Sequence, residues 1–168
     1  MAAEVGLDFV HNRGARGDYY YAETFGAGAA WLDYDADGWL DLYLVNGGDL
    51  LAGPSPAGSN QLWRNTGADG EFHFVDVTAA TGSGDMGYGM GVATADVEAD
   101  GDLDIFVTNV TANSLLLQSE GSFVESAAQV GVADRRWATA AAFFDADLDG
   151  DLDLAVGNNG NNEVYLNS

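Results

Sequence analysis

Asp33-Tyr34-Asp35-Ala36-Asp37-Gly38-Trp39-Leu40-Asp41 recurs twice along this chain, as Asp96-Val97-Glu98-Ala99-Asp100-Gly101-Asp102-Leu103-Asp104 and as Asp145-Ala146-Asp147-Leu148-Asp149-Gly150-Asp151-Leu152-Asp153. The shared pattern is D-x-[DE]-x-D-G-x-L-D. Recurrence of this kind marks a repeat architecture, in which each copy is one supersecondary unit that buries its apolar face against the next. The sequence holds 27 acids against five bases, for a formal net charge of -22. Four acids lie in the first copy and five in each of the others, so these loops hold more than half of the total. Like charges gathered so tightly repel one another unless a cation sits among them.

The spacing points to calcium, one ion per loop and three per chain. Calcium takes about six to eight hard oxygen ligands in a relaxed geometry. Carboxylates at loop positions 1, 3 and 5 converge on one centre: Asp33, Asp35 and Asp37; Asp96, Glu98 and Asp100; Asp145, Asp147 and Asp149. Gly at position 6 permits the sharp turn. Position 7 offers a backbone carbonyl, from Trp39, Asp102 or Asp151. Position 9 supplies a last carboxylate, from Asp41, Asp104 or Asp153. An EF-hand would carry its closing acid at position 12, but Leu44, Val107 and Val156 stand there. The loops therefore join strands rather than helices. Glu98 departs from the pattern, and its longer side chain weakens the second site. No His or Cys lies near the loops, which argues against zinc and copper.

The similarity extends outward from the loops. Five residues after each last Asp stands an Asn: Asn46, Asn109 and Asn158. An N-x-[LV]-x-x-[NQ] block follows, as Asn60/Leu62/Asn65, Asn113/Leu115/Gln118 and Asn162/Val164/Asn167. Two blocks lead on to a Phe-Val-acid start, Phe74-Val75-Asp76 and Phe123-Val124-Glu125. Small residues precede every loop. The first unit is longer, with extra Gly, Pro and Ser between Asn46 and Asn60, as expected of an insertion on an exposed face. Each unit reads as four short strands; for the second these are Phe74 to Thr78, Gly89 to Ala95, Leu103 to Thr108 and Ser114 to Gln118. Sustained helical periodicity is absent. The expectation is an all-β fold of three β-propeller blades, each of four antiparallel strands, spanning roughly 6–72, 73–122 and 123–168 of one domain, 1–168. A solenoid or sandwich is the alternative.

Composition narrows the function classes. All five bases are Arg, and so acidic a surface repels nucleic acid and anionic membranes. The chain has no Cys, hence no disulfide and no cysteine nucleophile. Its first residues lack the basic and apolar regions of a signal peptide, and no apolar run is long enough to span a bilayer. There is no nucleophile elbow, phosphate loop or dinucleotide fingerprint. Arg16-Gly17-Asp18 spells an integrin-binding tripeptide, which in a polar loop is best read as chance. Trp31, Trp39, Trp63 and Trp137 read chiefly as packing residues.

The acidic loop, the preceding Phe25-Gly26-Ala27-Gly28-Ala29-Ala30 segment and the following Asn blocks resemble FG-GAP/VCBS repeats, as found in integrin α-subunit propellers. Gly89-Met90-Gly91-Val92-Ala93 and Ala141-Ala142-Phe143-Phe144-Asp145 look closest to the ASPIC/UnbV and cartilage acidic protein group. The resemblance spans roughly Gly6 to Asn167. It implies calcium-bound propeller blades, extracellular or periplasmic, engaged in adhesion or in contacts with proteins or carbohydrates. Such rings close with about six to eight blades, so three blades imply completion by a second copy, as a homodimer, or an excised piece of a longer ring. The expected function is a non-enzymatic binding or structural module. The rival is a carbohydrate-active enzyme, which has no residues of its own once the calcium reading explains most of the paired carboxylates.

Overall fold

The computed structural model describes residues 2–67 and 71–167. Among these residues, eleven strands form three antiparallel sheets. Sheet 1 contains β1 (Ala29–Leu32), β2 (Asp41–Leu44), β3 (Gln61–Asn65) and β4 (Phe74–Asp76) in that order. Sheet 2 repeats the arrangement with β5 (Gly89–Ala95), β6 (Asp104–Asn109), β7 (Ser114–Ser119) and β8 (Ser122–Glu125). Sheet 3 has β9 (Ala138–Phe144), β10 (Asp153–Asn158) and β11 (Glu163–Tyr165). Each acidic loop joins the first two strands of its sheet. No helix among the described residues is long and apolar enough to cross a membrane.

The all-β expectation holds, and pairing corrects two details. Phe74–Asp76 is not the opening strand of the second unit. It pairs with β3, with Trp63 opposite Asp76 and Asn65 opposite Phe74, and so ends the first sheet. Sheet 3 has three described strands rather than four, because the sequence carries only two Phe-Val-acid segments. Two four-residue helices, α1 (Thr78–Thr81) and α2 (Ala127–Val130), follow the Phe strands. The acid ending each strand starts the helix: Asp76 accepts from the Thr78 N–H at 2.9 Å and Glu125 from the Ala127 N–H at 3.0 Å. Each helix stops at a left-handed glycine, Gly82 or Gly131.

The sheets stack face to face in chain order. Leu32, Tyr43 and Leu62 of sheet 1 pack against Ile105, Val107 and Leu116 of sheet 2. Phe106 and Leu115 of sheet 2 pack against Leu154 and Val156 of sheet 3. Consecutive residues of the Ile105-Phe106-Val107 centre of β6 thus serve opposite interfaces, which is why this centre is apolar and the whole strand is buried. Each such side chain contributes roughly 1.5–3 kcal/mol by leaving water. Tyr43 is fully buried, and its hydroxyl donates to the Ser83 carbonyl at 2.9 Å. The small residues before the loops set the distance between inner strands. A Cβ on Gly28 would lie 3.1 Å from the Gly91 Cα, and one on Gly91 would lie 2.9 Å from the Thr139 carbonyl oxygen.

Candidate metal centre

The three loops fold alike because their first carboxylate organises the turn. In loop 1, Asp33 accepts from the N–H groups of Asp37 at 3.0 Å and Gly38 at 2.9 Å. In loop 2, Asp96 accepts from Asp100 at 3.0 Å and Gly101 at 2.9 Å. In loop 3, Asp145 accepts from Leu148 at 2.7 Å and Gly150 at 3.2 Å. The position-5 carboxylate then accepts from the position-7 N–H, at 2.9 Å for Asp37 and 3.0 Å for both Asp100 and Asp149. The turn needs two left-handed residues. Position 4 is Ala36, Ala99 or Leu148, with φ of 54°, 56° and 64°; position 6 is Gly38, Gly101 or Gly150, with φ of 88°, 98° and 102°. Only the second is glycine, so the first carries a modest strain.

Two of the loops gather carboxylates as a cation site requires. Oxygens of Asp33, Asp35 and Asp37 all lie within 4.8 Å of one another, as do those of Asp145, Asp147 and Asp149. Asp35 Oδ1 is buried without a hydrogen-bond partner, a costly state for a charged oxygen that a cation would relieve. Burial and the neighbouring Asp149 charge push Asp147 above the usual carboxylate range. All six donors are hard oxygens, suited to calcium or magnesium. Asp96, Glu98 and Asp100 do not form such a group among the described residues, and Glu98 at position 3 is the difference. The position-7 residues Trp39, Asp102 and Asp151 are exposed or partly so.

The position-9 aspartates are not members of these groups. Asp41, Asp104 and Asp153 are fully buried, and both oxygens of each meet backbone amides. One oxygen accepts from the second residue of its own loop: Tyr34 at 3.0 Å, Val97 at 2.8 Å and Ala146 at 2.7 Å. The other accepts from the third strand or the residue beyond it: Asn65 at 2.7 Å, Gln118 at 2.8 Å and Asn167 at 2.8 Å. These carboxylates pin the loop to its sheet. Burial pushes Asp41 up to about 6 against the opposing amide hydrogen bonds, and raises Asp104 for the same reason.

Among the described residues, loop 1 alone is met by an Arg side chain. Arg64 on β3 places its Nε 2.5 Å from Asp35 and a terminal nitrogen 3.1 Å from Asp37. The equivalent residues are Leu117 and Leu166, so no Arg stands there in the other two sheets. A second polar lock, at the opposite end of the sheets, was not read from the sequence. Asn46, Asn109 and Asn158 donate their N–H groups to Asn60, Asn113 and Asn162 at 2.7, 3.0 and 3.1 Å. Asp85 and Asp134 hold the Asn109 and Asn158 amides, at 3.0 and 3.2 Å. Each of these Asp residues stands eleven positions before its loop, a spacing that could have revealed them. Arg16 of the Arg-Gly-Asp tripeptide pairs with Asp49 through its Nε at 2.7 Å.

The family model of the FG-GAP-like repeat matches residues 33–107 and 96–156, and so covers all three loops. No curated protein sequence matches the chain. The matched span exceeds half of the sequence, and it begins at the first Asp of the first loop. The chain belongs to the FG-GAP-like repeat family.

Proposed function

We propose that this chain is a calcium-stabilised β-propeller module with a structural and binding role and no catalytic activity of its own, working outside the cytoplasm. The observation that carries this reading is the convergence of Asp33, Asp35 and Asp37, repeated by Asp145, Asp147 and Asp149, with one buried Asp35 oxygen lacking a partner. Calcium held by positions 1, 3 and 5 would neutralise the third loop and complete in the first what Arg64 neutralises only in part. The second loop would join as a weaker site, through Glu98. Binding to the folded loops alone stabilises the fold by mass action. Millimolar calcium should raise the melting temperature by many degrees relative to chelator, and metal analysis should find three ions per chain. Superimposable melts in calcium and chelator would sink the proposal.

Ring completion by a second copy is part of this reading, because one specific difference between the sheets supports it. Leu32 and Leu62 on sheet 1 are 2% and 0% exposed beneath sheet 2. Their counterparts on sheet 3, Phe144 and Val164, are 42% and 53% exposed. Trp31, on the far face of sheet 1, is 56% exposed. A homodimer that packed the sheet 3 face of one copy on the sheet 1 face of the other would cover both. Light scattering in calcium should give twice the chain mass; a monomer at micromolar concentration would refute the dimer without touching the calcium proposal.

A further inference from the structure

The N-x-[LV]-x-x-[NQ] block ends in Asn65 and Asn167 in two units and in Gln118 in the other. The longer side chain changes what the position does. Asn65 turns back on its own loop, where its Nδ2 donates to the Leu40 carbonyl at 3.3 Å. Gln118 reaches across the sheet interface instead, and its Nε2 donates to the Tyr34 carbonyl at 2.8 Å. Tyr34 is the second residue of loop 1, so a side chain of sheet 2 holds the acidic loop of sheet 1. Both residues are buried. Phe123 lies opposite Gln118 on β8, and its ring packs against that of Tyr34 with centroids 6.4 Å apart.

The bridge continues into loop 2. The Gln118 N–H donates to Asp104 Oδ1 at 2.8 Å, and Asp104 Oδ2 accepts from the Val97 N–H at 2.8 Å. Tyr34 immediately precedes Asp35, and Val97 immediately precedes Glu98. An unbroken run of hydrogen bonds therefore joins the backbone entering position 3 of loop 1 to the backbone entering position 3 of loop 2. It passes through one residue, Gln118, which contributes its side chain to one loop and its main chain to the other. Burial strengthens such a run and makes each broken link costly. The arm has a cost of its own, since the Gln118 Oε1 is buried without a hydrogen-bond partner.

We propose that Gln118 is a positioning residue that couples the cation sites of loops 1 and 2. The coupling rests on the calcium reading above and extends it from separate sites to a cooperative pair. An ion in loop 1 fixes Asp35, and with it the Tyr34 carbonyl. Gln118, held at that carbonyl, keeps its N–H on Asp104, which in turn holds Val97 and the backbone entering Glu98. An ion arriving at loop 2 then finds this segment already ordered, and the ordering cost it avoids is the source of positive cooperativity. Loop 2 gains most, because its carboxylates do not gather as those of loops 1 and 3 do among the described residues. The coupling is reciprocal, so an ion in loop 2 tightens loop 1 by the same factor.

Calcium titration of the full chain, followed through the amide resonances of Gly38 and Gly101, reads loops 1 and 2 separately. Asp37→Asn disables loop 1 at a position outside the bridge. It should raise the calcium concentration that half-fills loop 2 at least about fivefold. Gln118→Met keeps the reach of the arm and removes its donor, while Gln118→Asn installs the residue of the other two units; should one variant fail to fold, the other serves. In either background loop 2 should fill at the weaker midpoint, and Asp37→Asn should no longer move it. A merely structural Gln118 would lower the melting temperature and leave that dependence intact. The coupling is overturned if Asp37→Asn alone leaves the loop 2 midpoint unmoved, or if the shift persists in a folded Gln118 variant. Calcium that moves neither glycine resonance of the unsubstituted chain overturns the calcium reading and the coupling with it.

Discussion

The fully buried carboxylate of Asp41 accepts the backbone N–H of Asn65, 24 residues further along, at 2.7 Å. Its other oxygen takes the Tyr34 N–H at 3.0 Å. One side chain thus ties the start of the acidic loop to the third strand. Removing it leaves two buried N–H donors without acceptors, each worth about 1–3 kcal/mol. Asp41→Ala should therefore lower the unfolding free energy by roughly 2–4 kcal/mol in chelator as well as in calcium, measured by urea denaturation. A loss confined to the calcium-loaded protein would instead assign Asp41 to the metal.

The same burial gives the metal-free protein an unusual pH dependence. Asp41 titrates near 6 in the fold, against about 3.9 in an unfolded chain. The folded state then binds more protons than the unfolded state, so stability falls as pH rises through this window. A two-unit rise corresponds to an upper limit of about 3 kcal/mol. Asp104 and Asp147 shift in the same direction. In chelator, the chain should be more stable at pH 5 than at pH 7.5. Calcium should reverse this order, because protons compete with the cation for the carboxylates. Denaturant midpoints at the two pH values, with and without calcium, check both signs.

Arg64 already neutralises part of loop 1 through Asp35 and Asp37. A cation entering that loop has to displace the guanidinium or share the carboxylates with it. Arg64→Ala should raise the calcium affinity of the first site several-fold while lowering stability in chelator by up to about 1 kcal/mol, since the Arg is partly exposed. Calorimetric titration resolves the affinity, and an unchanged or weaker first site would show that Arg64 does not compete.

Gly91 marks a close approach between the inner strands β5 and β9. A Cβ there would lie 2.9 Å from the Thr139 carbonyl oxygen and 3.0 Å from the Thr108 hydroxyl. Gly91→Val adds more atoms to the same gap and should cost about 1–3 kcal/mol by overpacking. Thermal unfolding of the variant in saturating calcium measures it, and near wild-type stability would mean that sheets 2 and 3 separate more freely than their packing indicates.

Gly150 shows how local a requirement can be. Its φ of 102° disfavours any side chain, yet a Cβ there would meet nothing within 4 Å. Gly150→Ala should cost about 1 kcal/mol or more through backbone strain alone. The same change at Gly101, with φ of 98° and equally open space, should match it within experimental error. Unequal losses, read from paired denaturation curves, would mean that the two loops are held differently.

What the sequence determined by itself is local or periodic. The D-x-[DE]-x-D-G turn, its glycine, the three units and the all-β character follow from residues within a few positions of one another, where chain geometry leaves few choices. The convergence of the carboxylates at positions 1, 3 and 5 of loops 1 and 3 was legible for that reason, and so was the departure at Glu98. Tertiary structure decided whatever depends on which distant segments pair. It assigned Phe74–Asp76 to the sheet before it, since a three-residue strand carries no mark of its neighbour. It turned Asp41, Asp104 and Asp153 toward backbone amides of the third strand, contacts 14 to 24 residues away. It brought Arg64 to Asp35. Hydrogen bonding and apolar burial between segments are settled by register and stacking, which a linear repeat constrains but does not specify.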